Sequence, residues 1–133
     1  MNQDDVDGMT EMNRLADEFF GAIERADVKK IDALYTRDAV VWHNYDNREQ
    51  PRDENIAMLK EFPRMFKSFK YENMRRNFFK GGFVQQHVCR GVKASGEAFQ
   101  VPNCMVITVR GNQIARIDDY FDSAQDARPR ESR

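Results

Sequence analysis

The second half of the chain limits what it can fold into. Residues 71–79, 83–94, 97–110 and 113–121 are four alternating segments, separated by "KGG", "ASG" and "RGN". Period-two alternation broken by short glycine turns is the pattern of strands joined by hairpins. Four consecutive hairpin strands make a sheet, and one face of that sheet has to be covered. With 133 residues in total, the cover must come from the first half of a single domain.

That half supplies helices. Met12, Leu15, Phe19, Ala22 and Ile23 recur at helical spacing and predict a helix over 10–26. Asp27 can cap a second helix over 28–35, with Val28, Ile31 and Leu34 on its apolar face. Residues 39–44 read as a strand, and "DNREQPRDEN" as a loop. A third helix over 54–69 carries Ile56, Met58, Leu59, Phe62, Met65, Phe66 and Phe69, with Pro63 set to kink or divide it. Helices segregated to one side of a sheet make an α+β domain. The expected architecture is a cone: a strongly curved antiparallel sheet with three helices over its concave face. The expected bounds are an acidic flexible leader at 1–9, one domain at 10–124 and a polar tail at 125–133.

Charge excludes some partners. Charged residues make up 32% of the chain and the formal net charge is −1. No basic stripe is present, so nucleic acid is not an expected partner. No apolar run reaches the roughly 18 residues of a membrane span, and "MNQDDVDGMTEMN" is too acidic for a signal peptide. Cys89 and Cys104 form no metal motif and read as reduced thiols, which suits a cytoplasmic protein. Nothing in the sequence calls for a cofactor.

Alternation also proposes an interior. Between 99 and 109, the parity of Phe99, Val101, Asn103, Met105, Ile107 and Val109 is the more apolar and is expected to face in. Centring the "ASG" turn on Ser95 and Gly96 sets Asn103 opposite Val88. Val84, Gln86, Val88 and Arg90 then face in, while His87 and Cys89 face out with Cys104. On the last strand, Asp119 shares a parity with Ala115, Ile117 and Phe121. In "VVWHNYDN", Val40, Trp42 and Asn44 share one parity and His43 opposes them. The expected inner surface therefore gathers Trp42, Asn44, Arg90, Asn103 and Asp119. Polar groups among apolar neighbours suit a ligand site. A structural ion pair between Asp119 and Arg90 is the alternative. The partly apolar outer face suits a homodimer formed through the sheet.

"FFGAIERADVKKIDALYTRDAVVWHN" and "GNQIARIDDYFD" resemble the nuclear-transport-factor-2-like superfamily, in its SnoaL-like branch. Polyketide cyclases, ketosteroid isomerase and limonene-epoxide hydrolase share that fold. The resemblance spans about residues 10–124 and implies a pocket for an apolar small molecule. Limonene-epoxide hydrolase holds its attacking water with an aromatic-x-Asn pair and an Asp, where Trp42, Asn44 and Asp119 stand here. Its Arg-x-Asp acid has no match in "VQQHVCRG". At the ketosteroid isomerase base stands His43, so the resemblance turns that residue inward where alternation turns it out. Phe19 replaces the oxyanion-hole Tyr, and Asn103, or Cys104 in a shifted register, replaces the Asp. SnoaL-like cyclases use a His or Asp as acid/base, a part His43 and Asp119 can take.

Two functions follow. One is an acid/base isomerase, cyclase or hydrolase, with Asp119 and His43 catalytic. Trp42, Asn44, Asn103, Arg90, Phe19, Phe62 and Met105 then bind an apolar, oxygenated substrate. The other is a ligand-binding or dimeric interaction module without chemistry.

Overall fold

The computed structural model describes residues 1–122 and Ala124; the polar tail expected at 125–133 lies outside them. The first helix, α1 (Gln3–Glu24), starts earlier than the apolar spacing suggested. Asn2 and Asp5 form a reciprocal capping box that satisfies the first-turn donors. Asp27 caps the short α2 (Val28–Leu34) by accepting from Lys30 N. Then follow β1 (Tyr35–His43) and a short β2 (Arg48–Pro51) inside the segment expected to be loop. The third helical stretch is divided, into α3 (Arg52–Lys60) and α4 (Phe62–Met65), with Pro63 in the first turn of α4. A proline there gives up only an N–H that has no helical partner. Phe66 already starts β3 (Phe66–Phe79), followed by β4 (Gly82–Lys93), β5 (Ala98–Arg110) and β6 (Gln113–Phe121).

The expected antiparallel cone under three helices is corrected on each count. The described residues form four helices and one open, mixed six-stranded sheet, ordered β2-β1-β6-β5-β4-β3. Its edges, β2 and β3, do not meet, so the sheet does not close. β1 runs parallel to β6, whereas every other pair is antiparallel. Parallel neighbours require a long crossover, and the whole of β2 to β5 supplies it. Hairpin signals cannot reveal such a pairing, because its partners lie far apart in sequence.

The core lies between the helices and one sheet face. Phe19, Phe20, Ile31, Phe83, Ile107 and Ile114 are almost completely buried there. Gly91 permits the close approach of β3: a Cβ at that position would meet Ser68 O at 2.0 Å. No helix among the described residues is long and apolar enough to cross a membrane.

Candidate functional site

The parallel β1–β6 pair builds the centre of the site. His43 is the register partner of Asp119, and both side chains point to the helix-covered face. His43 is 4% exposed and Asp119 1%. His43 Nε2 lies 3.9 Å from Asp119 Oδ2. From the neighbouring β5, Asn103 Nδ2 donates to Asp119 Oδ1 at 3.0 Å. The strand ends are held by Asn44. Its Nδ2 donates to Phe121 O at 3.0 Å and its Oδ1 accepts from Phe121 N at 3.1 Å, while its own N–H donates to Asp119 O. The amide thus continues the backbone ladder by one step and keeps His43 beside Asp119.

Apolar walls surround this group. The cavity has a volume of about 50 Å³, above the roughly 10–15 Å³ that a water needs. Its walls include Phe19, Phe62, Phe66, Phe69 and Met105, with His43, Asn103 and Asp119 at its polar end. Phe62, Phe66 and Phe69 pack ring against ring at 5.0–5.2 Å. A surface cleft between the end of α1 and the α4–β3 junction shares Ile23 and those three phenylalanines with the cavity wall. A second polar point is Tyr35, whose hydroxyl donates to Asn55 Oδ1 at 2.7 Å; Asn55 Nδ2 donates in turn to Gln50. Burial, reinforced by the Asp119 charge and opposed by Arg52, holds the Tyr35 hydroxyl well above the ordinary phenol range. Its one proton is committed to Asn55, so toward the cavity Tyr35 offers an acceptor.

The sequence-derived face assignments are corrected along β1 and β4, and with them Trp42, Asn44 and Arg90 leave the expected site. Trp42 does not line the cavity: it lies on the outer face, its ring 5.1 Å from Tyr120 and its N–H donated to Asn47. Asn44 clamps backbone instead of facing a ligand. Arg90 points outward to Glu72 and Gln100. In β1, Ala39, Val41 and His43 are the buried parity, against the expectation from Val40 and Trp42. In β4 the cause is register. Asn103 pairs with His87, not Val88, and a one-residue slip moves every side chain to the other face. Phe83, Gln85, His87 and Cys89 therefore face in. Phe19, Phe62, Met105, Asn103, His43 and Asp119 do border the cavity.

Tyr35 and Asn55 border the cavity as well, without having been singled out, and so does Cys89, which was expected on the outer face. Asn55 had a signal: it precedes Leu59 by four residues and Phe62 by seven, which puts it on the buried helix face. Among the described residues no group of three or more His, Cys, Asp or Glu could hold a metal ion.

Comparison with solved structures gives the same fold. An epoxide hydrolase of Mycobacterium tuberculosis, described as limonene-epoxide-hydrolase-like, superposes with a TM-score of 0.75 at 20% identity, over 87% of this chain and 86% of that one. A putative polyketide cyclase from Xanthomonas campestris gives 0.75 at 19%, over 87% and 96%. A protein of ketosteroid isomerase-like fold from Catenulispora acidiphila, solved with trimethylamine, gives 0.73 at 13%, over 84% and 87%. These identities speak for the fold alone. No protein of curated function gives a significant match. The SnoaL-like domain model matches residues 16–117, from the middle of α1 into β6 and most of the chain, and the chain belongs to that family.

Proposed function

We propose that the chain is a cofactor-independent acid/base enzyme, an isomerase, cyclase or hydrolase, acting on a small, apolar, oxygenated substrate. The observation that carries this reading is the Asp119 carboxylate, 1% exposed, bordering an apolar cavity beside His43 and Asn103. A buried carboxylate is costly, and an apolar residue there would be at least as good for stability. Placed at the end of a cavity, it has a use. Asp119 takes a proton from an acidic carbon or from a water. His43, 3.9 Å from it, holds or returns the proton and donates to the developing oxyanion. Asn103 fixes the carboxylate by donating to Oδ1, and Tyr35 accepts from a substrate hydroxyl. Isomerisation, cyclisation and hydrolysis all use this proton traffic, and the related folds with cyclase and epoxide hydrolase descriptions support the same range.

One observation favours a second reading, a ligand-binding module without chemistry. The cavity is small, and Phe62, Phe66 and Phe69 fill much of the space beside it. The test is turnover of a panel of small ketones, phenols and epoxides by wild type and Asp119→Asn, with binding followed by calorimetry. The enzyme reading expects turnover by wild type and a fall of about 10²-fold or more in the variant, with binding kept. Ligands that bind both proteins equally and are turned over by neither would favour the module. We also propose that the outer sheet face, with Trp42, Val88, Val106 and Tyr120, contacts a second copy of the chain.

A further inference from the structure

A second polar group lies beside the first and takes no part in the proton traffic above. Arg76 enters from β3, bound to Asp17 at 2.6 Å and to Asn13 Oδ1 at 2.8 Å. Its Nε donates to Gln85 Oε1 at 2.6 Å. Gln85 Nε2 in turn lies 3.0 Å from His87 Nδ1. These contacts settle the histidine tautomer. Arginine has only donors, so the Gln85 oxygen must face it and the Gln85 NH2 must face His87. Nδ1 therefore accepts, and the neutral ring carries its proton on Nε2. Burial first, then the Arg76 charge, hold His87 down to about 4, which keeps the ring neutral at ordinary pH. The Nε2–H is buried and has no partner among the described groups.

Asn103 is settled in the same way. Its NH2 faces the Asp119 carboxylate, which accepts, so its Oδ1 is turned away. That oxygen too is buried and without a partner. His87 and Asn103 are directly opposite each other on β4 and β5, and both are buried on the inner face, at 3% and 9% exposure. Side chains so placed stand with Cβ atoms about 4.5–5.5 Å apart. A stranded donor and a stranded acceptor therefore occupy adjacent positions.

We propose that His87 Nε2–H and Asn103 Oδ1 together form a binding site for one hydroxyl group. The hydroxyl oxygen accepts from His87, and its O–H donates to Asn103. A carbonyl or ether oxygen can satisfy only the histidine, so the site selects alcohols, phenols or water. Asn103 borders the cavity and His87 does not, so the oxygen reaches the pair past Asn103, either as a resident water or as the hydroxyl of a ligand. The inference does not rest on the acid/base reading, because Asp119 enters only as the acceptor that orients Asn103.

The test uses the wild-type chain. Crystals are solved unsoaked, with benzene and with phenol, and the His87 tautomer is read from side-chain 15N shifts. An oxygen within about 3.2 Å of both Nε2 and Oδ1 is expected in the unsoaked and benzene structures. With phenol, the phenol oxygen at that point identifies a ligand subsite, and a retained water beside the phenol identifies a resident water. The Nε2–H tautomer is expected throughout, and His87→Phe should lose the oxygen. No oxygen in any of the three structures, an Nδ1–H tautomer, or an oxygen that persists in His87→Phe would overturn the proposal.

Discussion

Replacing Asn44 by Leu separates a backbone clamp from a ligand contact. The two side chains have similar volumes, so the change removes polarity and little bulk. If Asn44 faced a ligand, Asn44→Leu would weaken binding and leave stability alone. The structure gives it two hydrogen bonds to the backbone of Phe121, a residue 7% exposed. A typical intramolecular hydrogen bond contributes about 0.5–1.5 kcal/mol net. Losing both should therefore cost about 2 kcal/mol, and water reaches this strand end because Asn44 is itself exposed, which keeps the cost from rising further. With an unfolding entropy of about 2.1 cal/mol/K per residue, that corresponds to a fall in Tm of roughly 7 °C for a chain of this length. Urea unfolding followed by far-UV circular dichroism should show a lower midpoint at unchanged m-value. A variant within about 0.5 kcal/mol of wild type would refute the reasoning, because the clamp would then carry no stability.

Trp42 should behave as an outer-face residue. Its fluorescence should stay constant as a cavity ligand is titrated; a ligand-dependent shift would place the indole nearer the cavity than the strand parity does. His87 makes stability depend on pH in a definite direction. Its folded pKa of about 4 lies below the ordinary histidine value of 6.5, so the unfolded chain binds the extra proton first. The stabilisation is complete above about pH 6.5 and is lost on acidification toward pH 4, at up to about 1.4 kcal/mol per pH unit. The difference between wild type and His87→Gln in chemical unfolding at pH 7 and pH 5 isolates it, and equal pH slopes in the two proteins would contradict it. Sedimentation at micromolar concentration should show a dimer that Tyr120→Arg dissociates; a wild-type monomer would remove the proposed self-contact.

The face of β5 was legible in the sequence because it is written many times over. Val101, Asn103, Met105 and Ile107 all lie on the buried side, and one polar residue among them does not blur the alternation. Asp119 was legible for the same reason, lying between Ile117 and Phe121. The hairpins after residue 79 were legible from their glycine turns, since a turn is a local event. The faces of β1 and β4 were not. β1 has apolar residues on both parities, and Trp42 is amphipathic enough to lie outside with its N–H on Asn47. In β4 a one-residue error in the turn centre exchanged Arg90 for Cys89 and Val88 for His87. Register is set by the closing of the whole ladder, including the bulges at Glu72/Arg75 and Thr108/Val109, and no short window contains that information.

The pairing of β1 with β6 belongs wholly to the tertiary structure. It joins His43 to Asp119 across 76 positions of chain, parallel where local signals favour antiparallel neighbours. The sequence by itself determined which residues could carry chemistry: a few polar side chains in apolar strands and a greasy third helix. Only the packed sheet decided which of them meet. A side chain's type depends on its own codon, but its neighbours depend on a crossover that brings distant strands to 5 Å of each other, roughly one inter-strand spacing.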